Sequence, residues 1–210
     1  MKRNQRFQQL FDRFNQVQFD AESHTYQLND KALMSVTKWV STHEKPFDKY
    51  VIAAKMAHSS DKPMSYYTAY WKMLGDEAAA LGNRVHHFAA WYSKGDKCRD
   101  KREEAVAQFI DDYTDNGWEM VATELIVHNE EFAGCIDRLM YHSELDKYMI
   151  VDFKTTEKDM YEVKGRLSNG TPNSLYNKYS MQLKKYNEIL GLDAEMIIVQ
   201  ITDDYRTFKV

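Results

Sequence analysis

Residues 132–156 read FAGCIDRLMYHSELDKYMIVDFKTT. Phe132 to His142 and Tyr148 to Phe153 are rich in aliphatic, aromatic and β-branched residues, while Ser143 to Lys147 is polar. That pattern predicts two antiparallel strands joined by a turn. Alternation along the second strand puts Asp152 and Lys154 on one face and Phe153 on the other. Pairing through the turn brings Asp137 near Asp152 across the ladder. Carboxylates that meet on a sheet repel unless a cation sits between them, and their hard oxygens suit Mg²⁺ or Mn²⁺. The Lys154 ammonium beside them can then position or deprotonate a water, or neutralise charge developing on a phosphate. An acid-x-Lys pair alone is usually a surface ion pair. Here Asp152 closes the apolar run Met149-Ile150-Val151, where an unpaired carboxylate is costly.

Working outward, Met120 to His128 predicts a strand before the hairpin, preceded by a helix from Lys101 to Tyr113 whose end is marked by Asn116-Gly117. After the hairpin come a polar loop, 157–172, a helix from Ser174 to Leu190 stopped by Gly191, and a buried-looking strand from Glu195 to Ile201. A last short strand over 207–210 is expected. Helix, three strands, helix, strand is an α/β arrangement, a mixed central sheet flanked by helices, with the last helix crossing one face. Upstream, 65–92 reads as helices bending at Gly75 and Gly82, Phe47 to His58 as another helix, and Ser35 or Thr37 as the cap of a short helix through Val40. Residues 17–34 predict a hairpin, with Val17 to Phe19 and His24 to Leu28 as strands and Asn29-Asp30 as a turn. Phe7, Leu10, Phe11 and Phe14 at helical spacing, among Lys2, Arg3, Arg6 and Arg13, resemble a transit peptide but read better as an amphipathic capping helix. Residues 1–99 thus form a hairpin and helical region packed on a core of 100–210, in one compact domain.

The chain has 210 residues, 43% hydrophobic and 13% aromatic, enough for one core, with only 8 Gly and 3 Pro. That composition excludes a disordered or collagenous chain, and no apolar run reaches the roughly 18–20 residues that cross a bilayer. A soluble, cytoplasmic protein without a membrane partner is expected. The two cysteines, Cys98 and Cys135, are too few for a disulfide framework or a four-cysteine metal site. Net charge is −4 but sorted by region: eleven acidic residues against two basic from Asp111 to Asp152, then seven basic against three acidic from Lys154 to Lys185. A second basic cluster holds Lys94, Lys97, Arg99, Lys101 and Arg102. An acidic centre flanked by bases suits a site that holds a hydrated cation while gripping a polyanion, although charge runs are also ordinary solvated surface.

Four stretches, in order, resemble the PD-(D/E)XK nuclease superfamily in its RecB-like exonuclease branch. GNRVH at 82–86 is similar to the Gly-x-x-x-His helix motif, GCIDRL at 134–139 to the Gly-x-x-Asp strand, IVDFKTT at 150–156 to the Asp-x-Lys-Thr strand, and QLKKY at 182–186 to the Gln-x-x-x-Tyr helix motif. SVTKWVS at 35–41 is similar to a segment that opens viral and organellar exonucleases of this kind.

The resemblance implies a restriction-endonuclease-like core and a Mg²⁺- or Mn²⁺-dependent DNA exonuclease that prefers single strands with a free end. It implies that Asp137, Asp152, the Phe153 carbonyl, His86 and Glu124 hold the metal, that Lys154 acts on water or phosphate, and that Gln182 and Tyr186 orient the lysine or contact the DNA backbone, with Thr155 in support. Lys94, Lys97, Arg99, Lys158, Lys164, Arg166, Lys178 and Lys185 are the candidate phosphate contacts. The cysteine count argues against the iron–sulfur cluster of some relatives. No Gly-x-x-x-x-Gly-Lys-Ser/Thr loop occurs, so no ATP is expected and any helicase or recombination partner is a separate chain. Asn83 stands where the family carries a threonine. Plainer readings stay open: His86 as a packed core histidine, Glu124 as an outward strand residue, Gln182 and Tyr186 as an ordinary helix face, and the four tryptophans as core rather than base-stacking residues. A nucleic-acid-binding module without turnover and a structure-specific endonuclease are the alternative functions.

Overall fold

In a computed structural model, β5 (Phe132–His142) and β6 (Lys147–Lys154) pair antiparallel from His142↔Lys147 to Arg138↔Val151. The turn between them is closed by Asp146, whose φ of 49° is left-handed, a conformation that short acidic side chains tolerate. The structure describes the backbone of residues 2–20, 23 and 25–210, and the side chains of all of these except 2–6. The side chains of Lys2, Arg3 and Arg6, and His24 altogether, lie outside the described residues.

Eight strands form one mixed sheet in the order β1-β2-β3-β5-β6-β7-β8, with β4 also paired to β5. β1 (Gln18–Asp20), β2 (Thr25–Leu28) and β3 (Lys31–Ser35) are the expected N-terminal hairpin and its exit strand. They do more than pack on the core, because β3 joins the sheet parallel to β5 through Met34↔Phe132 and Ser35↔Ala133. β4 (Trp118–His128) starts two residues before the predicted strand, with Trp118 opposite His142. β7 (Ala194–Ile201) runs parallel to β6, and β8 (Tyr205–Lys209) completes the edge.

Helices cover both faces. On one side α1 (Lys2–Phe14), α2 (Val36–Ser41) and α6 (Leu175–Leu190) bury Phe14, Val36, Leu183, Tyr186 and Ile189 against Leu139 and Ile150. Ser35 caps α2 by accepting the Lys38 N–H, and Gly191 ends α6 in the left-handed region at φ 68°. Arg13 of α1 donates to the carbonyls of Ile189 and Leu190 at 3.0 Å each, so the N-terminal helix satisfies the end of α6. On the other side α4 (Met64–Trp91) and α5 (Lys101–Asp115) pack Val85, Ala89, Val106 and Phe109 on Met140, Val151 and Phe153. α3 (Lys49–His58) begins two residues later than predicted because Asp48 accepts the N–H groups of Tyr50 and Val51 and so becomes the cap.

The predicted bends at Gly75 and Gly82 are absent, and α4 runs unbroken for 28 residues. Glycine inside a helix costs only about 1 kcal/mol, and the rest of the helix outweighs it. Only the last third of α4 is buried, at Val85, Ala89 and Ala90, while Tyr66, Tyr70, Met73 and Leu74 face solvent. The polar loop after β6 is pinned by buried Met160 and Leu167 and by the Met160 carbonyl, which accepts from Tyr176 N–H at the start of α6. No helix among the described residues is long and apolar enough to cross a membrane.

Candidate functional site

The registers of three neighbouring strands place three carboxylates in one row. Thr123↔Arg138 and Leu125↔Ile136 bracket Glu124 opposite Asp137, and continuing the register from Arg138↔Val151 sets Asp137 opposite Asp152. Regular β5–β6 pairing stops there. The Phe153 N–H donates instead to Asp137 Oδ2 at 2.7 Å, so the carboxylate stands in for a strand carbonyl where the two strands separate. Glu124 sits at a φ of 49°. A left-handed glutamate costs about 1–2 kcal/mol, and such strain clusters where function over-determines the backbone.

α4 brings His86 to the same place, with Nδ1 3.3 Å from Asp137 Oδ1. One ligand atom each from His86, Glu124 and Asp137 falls within 4.8 Å of the others. Lys154 Nζ donates to Asp152 Oδ1 at 2.9 Å and lies 2.8 Å from Oδ2. Both Asp152 oxygens therefore lie against the one ammonium, with the hydrogen bond going to Oδ1. On its other side the ammonium faces the ring of Tyr179 at 4.7 Å. The His86 imidazole nitrogen and the Glu124 and Asp137 carboxylate oxygens form a donor set that fits a hard divalent cation, with the Asp152–Lys154 pair at the end of the row.

The electrostatics follow from burying these charges together. Burial pushes the Asp152 carboxyl up to about 6, with Lys154 opposing the rise and Asp137 adding to it. Burial also acts upward on Asp137, but the charges of His86 and Lys154 and its hydrogen bonds outweigh this and hold it below the usual carboxylate range. His86 and Lys154 are each pushed down by burial and then raised past their ordinary values, His86 by Asp137 and Lys154 by Asp152 and Asp137. Glu124 is raised by burial and by Asp137. Cys135 donates its thiol to Glu124 Oε2 at 3.4 Å, and burial raises that thiol well above the ordinary range.

Several sequence-predicted roles change. Tyr186 is 2% exposed, its hydroxyl accepts from Gln182 Nε2 at 2.9 Å, and its ring lies where a Cβ on Gly134 would come within 2.4 Å of it. It therefore holds the floor of the site and cannot reach a DNA backbone. Gln182 bonds to Tyr186 and makes no bond to Lys154; the residue that borders the lysine is Tyr179, three positions earlier on the same helix face. The Phe153 ring is fully buried on the opposite side of the sheet, edge-on to Phe109 at 5.5 Å.

Most of the candidate phosphate contacts are engaged by local acids. Lys94 binds Asp115 at 2.7 Å, Lys164 binds Glu162 at 3.1 Å, Lys178 binds Glu44 at 2.6 Å, and Arg166 donates to the Gly170 carbonyl at 2.7 Å. Lys185 binds Glu188 at 2.7 Å with its ammonium 5.0 Å from the Trp39 and Phe132 ring centres. Lys97 and Lys158 make no ion pair among the described residues, and Arg99, though bonded to Glu103, keeps its side chain 64% exposed.

Sequence reasoning missed the supports of α4. Arg84 binds Asp100 at 2.6 Å and Glu103 at 3.1 Å, and Glu103 also takes Arg99 Nη2 at 2.7 Å. Arg138, buried at 2% exposure, donates from Nη2 to the Ala89 carbonyl at 2.6 Å. The pairing of a Lys- and Arg-rich loop with the glutamates that open α5 was the available signal. The row opens into two clefts on either side of α4. One of about 460 Å³ is lined by Gly82, His86, His87, Trp91 and Glu124, and one of about 410 Å³ by Ala78, His86, Lys154, Thr155, Lys158 and Tyr179.

No protein-family model matches the chain. No curated protein matches it in sequence. A solved structure described as the crystal structure of SSO0001 superposes on all of this chain and 77% of its own, at 14% identity and a TM-score of 0.42, a likeness too slight to bear on fold family or function.

Proposed function

We propose that the chain is a divalent-cation-dependent deoxyribonuclease with a PD-(D/E)XK-type core, cutting single-stranded DNA from a free end. The observation that carries this reading is the row of Glu124, Asp137 and Asp152 across three strands, with His86 3.3 Å from its centre and Lys154 2.9 Å from its end. Three carboxylates brought together across neighbouring strands repel one another, a crowding that a bound cation would relieve.

Mg²⁺ or Mn²⁺ held by Asp137, Asp152, Glu124 and His86 would supply positive charge for the phosphate and a water of lowered pKa. The chain's own groups do the rest. Lys154, steered by Asp152 and covered by Tyr179, presents an ammonium for hydrogen bonding to a phosphate oxygen. His86 and Asp137 fix each other's orientation. Lys158, in the same cleft as Lys154, offers a second cation to the backbone of the bound strand.

Linear and circular single-stranded DNA incubated with Mg²⁺, Mn²⁺ or EDTA test the reading. Metal-dependent loss of the linear form alone is expected. Equal cutting of circles would replace the end-directed mode with endonuclease action, and no cutting with any divalent cation would sink the nuclease assignment.

A further inference from the structure

We propose that Trp91, with the cationic loop behind it, is a nucleobase-stacking subsite for the single strand that passes the carboxylate row, an inference that rests on the nuclease reading above. Trp91 is the last residue of α4 and is 76% exposed, while Trp118 is buried and Trp39 packs against the core. Tryptophan is seldom left this open, because its large apolar surface contributes most when covered.

Its position supplies the reason. Trp91 forms the shared wall of two clefts. The first contains His86 and Glu124, and the second, about 410 Å³, contains Lys97 and Arg99. The exposed His87 lines both. From His86 to Trp91 is five residues of continuous helix, about 7.5 Å along the axis, a span of roughly two stacked nucleotides.

The charges around the indole favour a polyanion. Lys97 is exposed and has no ion-pair partner among the described residues, and the outer side of Arg99 faces solvent. Of the acids in the same cleft, Asp96 accepts the Ser93 N–H at 2.8 Å and keeps its charge, and Glu103 is fully buried beneath Arg84 and Arg99. An exposed aromatic face beside the unpaired Lys97 and the solvent-facing side of Arg99 matches the chemistry of single-strand binding, with bases stacking on the ring and phosphates reaching the lysine and arginine. The exposed aromatics of the distal half of α4 border neither cleft, so they do not share this role.

The experiment is fluorescence anisotropy in EDTA, where no turnover occurs. The probes are a fluorescein-labelled single-stranded oligothymidylate and an abasic strand of the same length. Trp91→Ala should weaken oligothymidylate binding roughly 5- to 100-fold, and Trp91→Phe should recover most of that loss. Neither should change binding of the abasic strand. Lys97→Ala should weaken both probes alike and flatten the salt dependence. Unchanged binding by Trp91→Ala, equal loss on both probes, or no binding by wild type would overturn the subsite. Separate hydrolysis assays distinguish the two claims. Stacking without cutting in Mg²⁺ or Mn²⁺ removes the nuclease reading and leaves the subsite, whereas cutting with no stacking effect at Trp91 removes the subsite alone.

Discussion

Arg138 Nη2 lies 2.6 Å from the carbonyl oxygen of Ala89, joining the residue after Asp137 to the residue three positions beyond His86. The bond runs through the buried layer between sheet and α4. A cation at the C-terminal end of a helix is favoured by the helix dipole. Burial nonetheless pulls this guanidinium down to about 10, and its Nε has no hydrogen-bond partner. Strand and helix are thereby fixed in register, and with them the spacing of Asp137 and His86.

Arg138→Met separates positioning from stability. Methionine fills most of the volume without a buried charge, and such replacements are often neutral or stabilising. The variant should unfold in urea within about 1.5 kcal/mol of wild type, yet bind Mn²⁺ roughly 10-fold more weakly by calorimetry. Undiminished Mn²⁺ affinity would show that Arg138 is packing alone.

Glu124 combines a left-handed backbone with a carboxylate opposite Asp137. Glycine at this left-handed position relieves about 1–2 kcal/mol of backbone cost and removes a carboxylate crowded against Asp137. Metal-free Glu124→Gly should therefore melt no lower than wild type at pH 7, and it should lose most of the stabilisation that Mn²⁺ confers. A variant that melts lower without metal, yet gains as much from Mn²⁺ as wild type, would place Glu124 outside the donor set.

Glu103 gives the pH dependence of the fold. Burial would raise its carboxyl, but the hydrogen bonds and charge of Arg99 prevail and hold it below its ordinary 4.5. A depressed acid contributes stability that is complete above the unfolded value and lost as pH falls through the folded one. Glu103→Gln should therefore cost about 1–3 kcal/mol at pH 7, reduced because both arginine partners are partly solvated. The gap to wild type should narrow as pH falls below 4.5 and through the depressed folded value. A gap that stays constant down to acid unfolding would mean that the loss is one of shape and not of charge.

The hairpin, the acid-x-Lys spacing and the closing glycine of α6 were legible because period-two alternation and cap residues are local properties. Asp137 and Asp152 could be placed opposite each other from the turn alone. What the sequence concealed is set by tertiary partners. Gly75 and Gly82 read as bends, yet a Cβ at Gly75 would meet nothing within 4 Å and one at Gly82 only Thr155 at 3.7 Å, so neither glycine marks a forced break. The lysines at 94, 164, 178 and 185 looked free because their acids lie on other elements or on side chains whose direction alternation does not reveal. Tyr179 escaped notice since only the position of Lys154 gives its ring a cation to face. The left-handed φ of Glu124 has no signature at all in a glutamate.

Digestion of 5′-labelled and 3′-labelled single strands by wild type and Lys154→Ala asks whether Lys154 and the carboxylate row cut DNA. Wild type should release label in Mg²⁺ or Mn²⁺ and not in EDTA, from one end before the other. Lys154→Ala, verified as folded by its melting curve, should be at least about 100-fold slower. Release by the variant at the wild-type rate, or intact DNA from wild type under every divalent condition, would contradict the account.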